Sequence, residues 1–476
     1  MKKHFNTKTF TFFTINFIVG LGFVATINEV LPLGLWGYLA ITLSFFTVLG
    51  TSLVFSRLAN VYNDHYGGSY AYAREISDEV SHPHIQYNIF AKKTLKQKFI
   101  EQFIFLVGWN QFMQSPILSS ISPLLLSRVI EIIIPNNINN YEIIIWSIRI
   151  ISILVFSILI LLSTKGLKLS TKIVYITSSV KWIVLLIGII LIIYQLSLSQ
   201  EYSENILKSQ QLTPYLLINS ITLFIYAFAG VEDMGAMVKD VKFKNFRVIL
   251  LFSLGLIFGF YLLIYTLLLG IKTNPDEDFS QIYKITLGVF GIVLFLIGFI
   301  SNDIGYKITQ TISSARKIVP LSEDHFIHPI FSRKNKQNEY KNAIIFTALV
   351  TLFAMIVLWL IPTITGNRDY YLGVIVISSL ALFLQDILTF ITAFILEKKK
   401  KISKIPLYEK VIYSLNIIWM LFLILSISFP QILGQEWSSI NIFIIIGFFG
   451  SILFGFLLKW ISHLVLKKQI INKSNN

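Results

Sequence analysis

"FIYAFAGVEDMGAM", residues 224–237, places Gly230 and two adjacent carboxylates, Glu232 and Asp233, inside an otherwise apolar stretch. What surrounds that stretch decides what it means. The chain has 476 residues, 55% of them hydrophobic and 14% charged, with a mean hydropathy of +0.70, far outside the range of soluble domains. It reads as an integral membrane protein. The 40 Phe, 21 Tyr and 8 Trp suit rings that face lipid and anchor at its interfaces. The carboxylates at 232 and 233 therefore lie at membrane depth, where an ionisable group is costly and tends to face a partner, a cavity or a pathway.

Apolar runs bounded by charge or turn residues predict helices near 10–32, 35–57, 99–134, 141–163, 171–197 and 214–239, then near 245–270, 286–319, 341–361, 372–397, 407–429 and 438–467. The third and the eighth exceed the roughly 20 residues that a span requires, so each is expected to tilt, kink or continue into water. Period-two alternation is missing, which argues against a β-barrel. The first run has a basic flank (Lys2, Lys3, Lys8) like a signal peptide, but it is long and another span follows at once, so it is read as retained.

Basic residues set the orientation. Of the 40 Lys and Arg, five (Arg128, Lys208, Lys272, Lys284, Arg368) fall on one side of a twelve-span arrangement and three (Arg149, Lys181, Lys307) inside spans. The rest share the side of the N-terminus, so both termini are expected in the cytoplasm. This bias, with the run Lys398–Lys401, accounts for the net charge of +15 and calls for no nucleic-acid partner. Zero cysteines exclude disulfides and thiolate metal sites. His82/His84 and His325/His328 lack a metal-site framework, and no phosphate-binding loop appears, so neither a metal, nor a cofactor, nor ATP-driven transport is implied. No catalytic constellation is visible.

Of the basic residues inside spans, Lys307 shares a helix face with Asp303 and can pair with it, and Arg149 is close enough to an outer end to snorkel. Lys181, ten residues past Thr171, sits ~15 Å deep, near the midplane. Two spans also carry helix-breaking composition at mid-depth: "VGLGF" (19–23) in the first and "AFAGVE" (227–232) in the sixth. A lone G-x-G ordinarily marks close helix packing. These two fall in the first helices of two five-helix halves, the pattern of an inverted-repeat transporter. Interrupted helices expose main-chain N–H groups that stabilise a carboxylate and carbonyls that receive an ammonium; an amino-acid zwitterion uses both. Glu232, in the first turn after the break, is stabilised by the freed N–H groups, and Asp233 points about 100° away.

Gly20-Leu21-Gly22-Phe23 is similar to a G-S-G-I/V-F first-span break, and Phe228-Ala229-Gly230-Val231-Glu232 to an F-A-F-x-G-x-E sixth-span break. "SRLANVYNDHYGGSYAYARE" (56–75), "TKGLKLSTK" (164–172), "VKDVKFKNFR" (238–247) and "SSARKIV" (313–319) follow in matching order. Through these motifs most of the chain resembles the amino acid–polyamine–organocation permease superfamily. Arg57, Leu21 and Phe246 depart from its pattern, standing where it has an acidic residue, a small polar residue and a proline, and the loop from Ile76 to Lys98 is longer than typical.

The resemblance implies an all-α membrane protein of about twelve helices: a 5+5 inverted repeat (about 10–197 and 214–397) with discontinuous helices 1 and 6, and two further helices (about 407–467). It implies a secondary transporter of amino acids working by alternating access, with Ile18, Gly20, Leu21, Gly22, Tyr226, Ala229 and Gly230 around the substrate and Tyr226 as an aromatic gate. Glu232 matches a glutamate that links the break to its neighbours and senses protonation. Lys181 resembles a lysine that replaces a sodium ion, which makes protons or substrate exchange the coupling expected. An amino acid–polyamine antiporter, and an amino-acid sensor that binds without transporting, are the competing readings.

Overall fold

The computed structural model describes residues 6–63, 68–77, 94–131, 134, 137–163, 167–199, 212–236, 238, 241–242, 245–271, 279–335, 340–365 and 368–474. Among them the chain is helical, and eleven helices are long and apolar enough to cross a membrane. The expected histidine pair at 82 and 84, and most of the loop from 76 to 98, lie outside the described residues.

The first expected span is two helices, α1 (Thr7–Ile18) and α2 (Leu21–Thr26), followed by α3 (Trp36–Val61) and a short helix α4 (Ser69–Arg74). The third expected span, 99–134, is also two helices, α5 (Leu95–Leu118) and α6 (Ile121–Glu131), meeting at Ser119 and Ser120. Then come α7 (Tyr141–Ser163) and α8 (Leu167–Ser199). The sixth expected span divides into α9 (Pro214–Ile225), a 3₁₀ turn (Tyr226–Phe228) and α10 (Val231–Ala236), and α11 (Phe246–Leu268) follows. The overlong eighth span is α12 (Gln281–Glu323), interrupted at Gly288, whose φ of 62° suits a residue with no Cβ. The remaining helices are α13 (Lys341–Thr365), α14 (Arg368–Lys398), α15 (Leu407–Ser428) and α16 (Ser439–Ser474).

Burial separates the centre from the periphery. In α14, 89% of the apolar window is buried, against 22% in the fourth span, Tyr141–Leu162, whose Ile, Leu and Trp side chains face outward. With lipid as the solvent, such exposed apolar faces are satisfied where they are, and the packing that defines the interior comes from close approach and polar bonds. Gly108 is an example: a Cβ there would lie 2.4 Å from the Tyr70 ring, so the glycine admits the aromatic side chain of α4.

That contact explains the "GGSYAY" stretch. Gly68 has φ 51°, and α4 behind it is buried from Ser69 to Ala73. The Tyr70 N–H donates to Gln111 Oε1 (3.0 Å), the Tyr70 hydroxyl to Asp324, and Arg74 pairs with Asp324 at 2.9 Å. Gln385 and Thr389 of α14 hold Ser69. The segment therefore packs into the bundle, tying α5, the end of α12 and α14 together.

Two charged positions differ from their expected settings in instructive ways. Arg149 does not simply snorkel: it donates to both carboxylate oxygens of Glu131 (2.8 and 3.2 Å) and to the Thr363 carbonyl, because the end of α6 brings an acid alongside. Arg57, the departure at the end of α3, has an acid waiting on α15. Its guanidinium grips Glu409 at 2.7 and 2.9 Å, and Arg247 of α11 and Tyr413 bond the same carboxylate at 2.8 Å each. Phe246, where a proline was expected, is fully buried and packs on Phe10 at 5.8 Å.

Candidate substrate site

The site begins with two backbone interruptions facing each other. In the first, Val19 and Gly20 leave helical geometry (φ/ψ −72/104° and −169/−138°) before α2 restarts. In the second, Ala229 is extended (−60/142°) and Gly230 takes φ 120°, a conformation L side chains rarely adopt. The breaks nearly touch. A Cβ on Gly22 would lie 2.7 Å from the Tyr226 carbonyl oxygen, and one on Gly230 would lie 2.8 Å from the Phe17 ring.

Broken helices leave main-chain groups without ladder partners, and each needs another. On the first break, Lys181 Nζ donates to Asn16 O at 2.6 Å and to Val19 O at 2.8 Å. Asn16 is held by Ser178 (2.8 Å) and Trp182 (3.0 Å), which fixes α8 against α1 and aims the lysine. Its ammonium, on a residue 5% exposed, is held by these two carbonyls. On the second break, the Tyr261 hydroxyl donates to Ala227 O at 2.7 Å, and the Gly230 N–H donates to Glu232 Oε2 at 2.9 Å. Glu232 thus caps the start of α10, and Asp233 turns away to pair with Lys317 of α12.

A cavity of about 50 Å³ lies between the breaks, room for a few water molecules in this conformation. Ile18, Gly20 and Gly22 line it from the first break, and Tyr226, Ala229, Gly230, Glu232 and Asp233 from the second. Leu21 contributes backbone to the first turn of α2; its side chain lies outside the described residues. Lys181 lies behind this cavity, lining a second, apolar one of about 40 Å³ that shares Gly20 and Asn302 with the first. Sequence reasoning did not single out Gln114, Asn302, Tyr306 and Ser378, which complete the first wall from α5, α12 and α14. The signal available for Gln114 and Asn302 was an amide in an apolar span, the feature used for the lysines.

Paired helix breaks around a small cavity in a helical membrane bundle are the frame of a membrane transporter, and the family match places the chain in the amino acid–polyamine–organocation superfamily of amino acid transporters. The chain belongs to the amino acid permease family, whose model matches residues 5–450. It is similar to uncharacterized protein MG225 of Mycoplasma genitalium, 29% identical over 92% of this chain and 91% of that one. It is also similar to uncharacterized protein MG226 of the same organism (28%, covering 94% and 95%) and to the MG226 homolog of Mycoplasma pneumoniae (26%, covering 94% and 93%).

Proposed function

We propose that this permease is a secondary active transporter that moves an amino acid or a related amine across the cell membrane by alternating access, without sodium. The observation that carries this reading is the cavity bounded by two facing helix breaks, with a lysine ammonium already on the carbonyls of the first. A zwitterion between them meets N–H donors at the restarting helices and carbonyls at the ending ones. Gly20, Gly22 and Gly230 allow the substrate backbone to approach, Ile18 and Ala229 form apolar wall, and Tyr226, 8% exposed, stands over the cavity as its gate.

Lys181 and Glu232 are the coupling residues. An ammonium that holds the first break closed removes the need for a sodium ion there, which leaves protons or exchange to couple transport. The segments 10–197 and 214–397 act as inverted repeats that rock about the site, with 407–467 outside them, and both termini face the cytoplasm. The test is counterflow in proteoliposomes, run with the common amino acids and several polyamines against each preloaded substrate. Exchange of at least one amino acid supports transport; saturable binding without any counterflow would identify a sensor instead, and polyamine-for-amino-acid exchange an antiporter.

A further inference from the structure

The second cavity, on the Lys181 side of the first, has no part in holding the amino and carboxyl groups of a substrate. Its wall is apolar: Val24 of α2, Leu185 of α8, and Phe279, Tyr283, Phe295 and Phe299 before and along the first half of α12. The void is not slack left by loose packing. A Cβ on Gly298 would lie 2.6 Å from the Val184 side chain, and one on Gly188 would lie 2.4 Å from the Tyr283 hydroxyl, so two glycines press α8 and α12 together. That hydroxyl donates to the Val184 carbonyl at 2.7 Å and pins the two helices in place. Close-packed interiors keep few voids larger than a water molecule, yet about 40 Å³ remains here. At roughly 10–15 Å³ for each water-sized group, that is space for about three of them, and an apolar cavity is filled by hydrocarbon rather than by water.

The two cavities meet at Gly20 and Asn302, which line both. A Cβ on Gly20 would lie 3.3 Å from Asn302 Oδ1, so the amide stands against the first break as a partition. Among the described residues that amide forms no hydrogen bond with the protein, and turning it aside breaks none. Lys181 is also on the wall of the second cavity, with its ammonium bonded to Asn16 O and Val19 O. A cationic side chain entering there would meet a like charge.

We propose that the second cavity is the side-chain pocket of the substrate site. The amino and carboxyl groups of the substrate stay between the breaks, Asn302 swings aside, and an aliphatic side chain the size of that of valine, leucine or isoleucine fills the void. This deepens the transport reading and rests on it. Alanine leaves the void empty and tryptophan overfills it. Lysine brings its ammonium beside Lys181, and aspartate buries a carboxylate among aromatic rings while the Lys181 ammonium is already held by two carbonyls.

The test is isothermal titration calorimetry of the purified full-length protein in lipid with alanine, valine, leucine, isoleucine, tryptophan, lysine and aspartate. Leucine or isoleucine should bind at least about tenfold tighter than alanine, the discrimination an apolar pocket provides for added methylenes. Val24→Phe, which fills the void with a ring, should erase that preference while alanine still binds; Leu185→Phe does the same from the opposite helix if the first variant fails to elute as folded protein. A parent that binds alanine, tryptophan or aspartate as tightly as leucine overturns the proposal without recourse to variants. So does a leucine preference that survives either substitution in folded protein. A preference for lysine also overturns it, and assigns the side chain to Glu232, which lines the first cavity and whose Oε1 is buried without a hydrogen-bond partner. Absence of binding across the whole panel would sink the amino-acid reading itself and the pocket with it, a result distinct from a wrong order among ligands that do bind.

Discussion

Gly22→Ala is the smallest change that probes whether the two breaks must touch. The added methyl would sit 2.7 Å from the Tyr226 carbonyl oxygen and 3.2 Å from the Ala227 Cα, where ordinary contact begins at 3.4 Å. The breaks would have to separate by about 0.7 Å, the difference between those distances. The obstacle is main chain, and that main chain is held by the Tyr261 hydroxyl on Ala227 O at 2.7 Å, so it cannot swing aside as a side chain does. Overpacking of this kind costs roughly 1–3 kcal/mol. If the strain is relieved by opening the cavity, substrate binding should weaken by about 5- to 150-fold. Gly20→Ala should do less, since its methyl would meet the Asn302 side chain at 3.3 Å, and Gly255→Ala, with nothing within 4 Å, should do nothing. Substrate affinity of the three purified variants in lipid, with thermal unfolding to confirm the fold, tests the order. Binding by Gly22→Ala equal to that of Gly255→Ala would refute a site between the breaks.

Replacing external sodium with choline should leave uptake unchanged, whereas Lys181→Met, which strips the donor from two carbonyls at about 1–3 kcal/mol each, should slow transport at least tenfold; strict sodium dependence, or a Met variant at full rate, would end the ion-replacement reading. Glu409→Ala should lower stability by about 1–3 kcal/mol, less than for a fully buried pair because Arg57 and Arg247 can reach water, and an unchanged thermal midpoint would show the cluster to be inert. Asp324, past the end of the eighth span, has its carboxyl pushed from 3.8 up to about 6, because burial outweighs the pull of Arg74 and of the Tyr70 hydroxyl. The folded state therefore keeps a proton that the unfolded chain has lost, so this contribution to stability is complete below pH 3.8 and is lost as pH rises through about 6. Asp324→Asn should flatten the pH dependence of thermal unfolding across that window, and an unaltered slope would count against the assignment.

The sequence disclosed what composition and spacing can carry. Apolar runs bounded by charge set the spans, and glycines at mid-depth marked both breaks, the second with carboxylates beside it that are costly in lipid unless something uses them. The overlong third and eighth runs called for a tilt, a kink or a continuation into water without choosing among them or placing a break. Ser119 and Ser120 look like ordinary small residues of a span, and Gly288 is one of several glycines in its neighbourhood, so only packing selects them. Arg149 shows the limit more sharply. Its depth suggested snorkelling, and nothing local revealed that Glu131, on a separate helix, would turn toward it. The far wall of the cavity was hidden for the same reason: Gln114, Asn302 and Ser378 come from three helices, and no spacing within one helix records which residues face each other across a bundle.

The Glu409 cluster bears on how sequences of this kind diverge. One buried carboxylate serves Arg57 at the end of α3 and Arg247 at the start of α11, so a loss at position 409 strands two cations at once, while a loss of either arginine leaves the acid still served. Position 409 is therefore the harder one to change first. Related permeases that carry an acidic or neutral residue in place of Arg57 should tend to lack the acid at 409 as well, the two positions drifting together although 352 residues of chain separate them. An alignment of such relatives would display that joint drift, and the order in which the residues were exchanged along the branches of their tree should begin at the arginines.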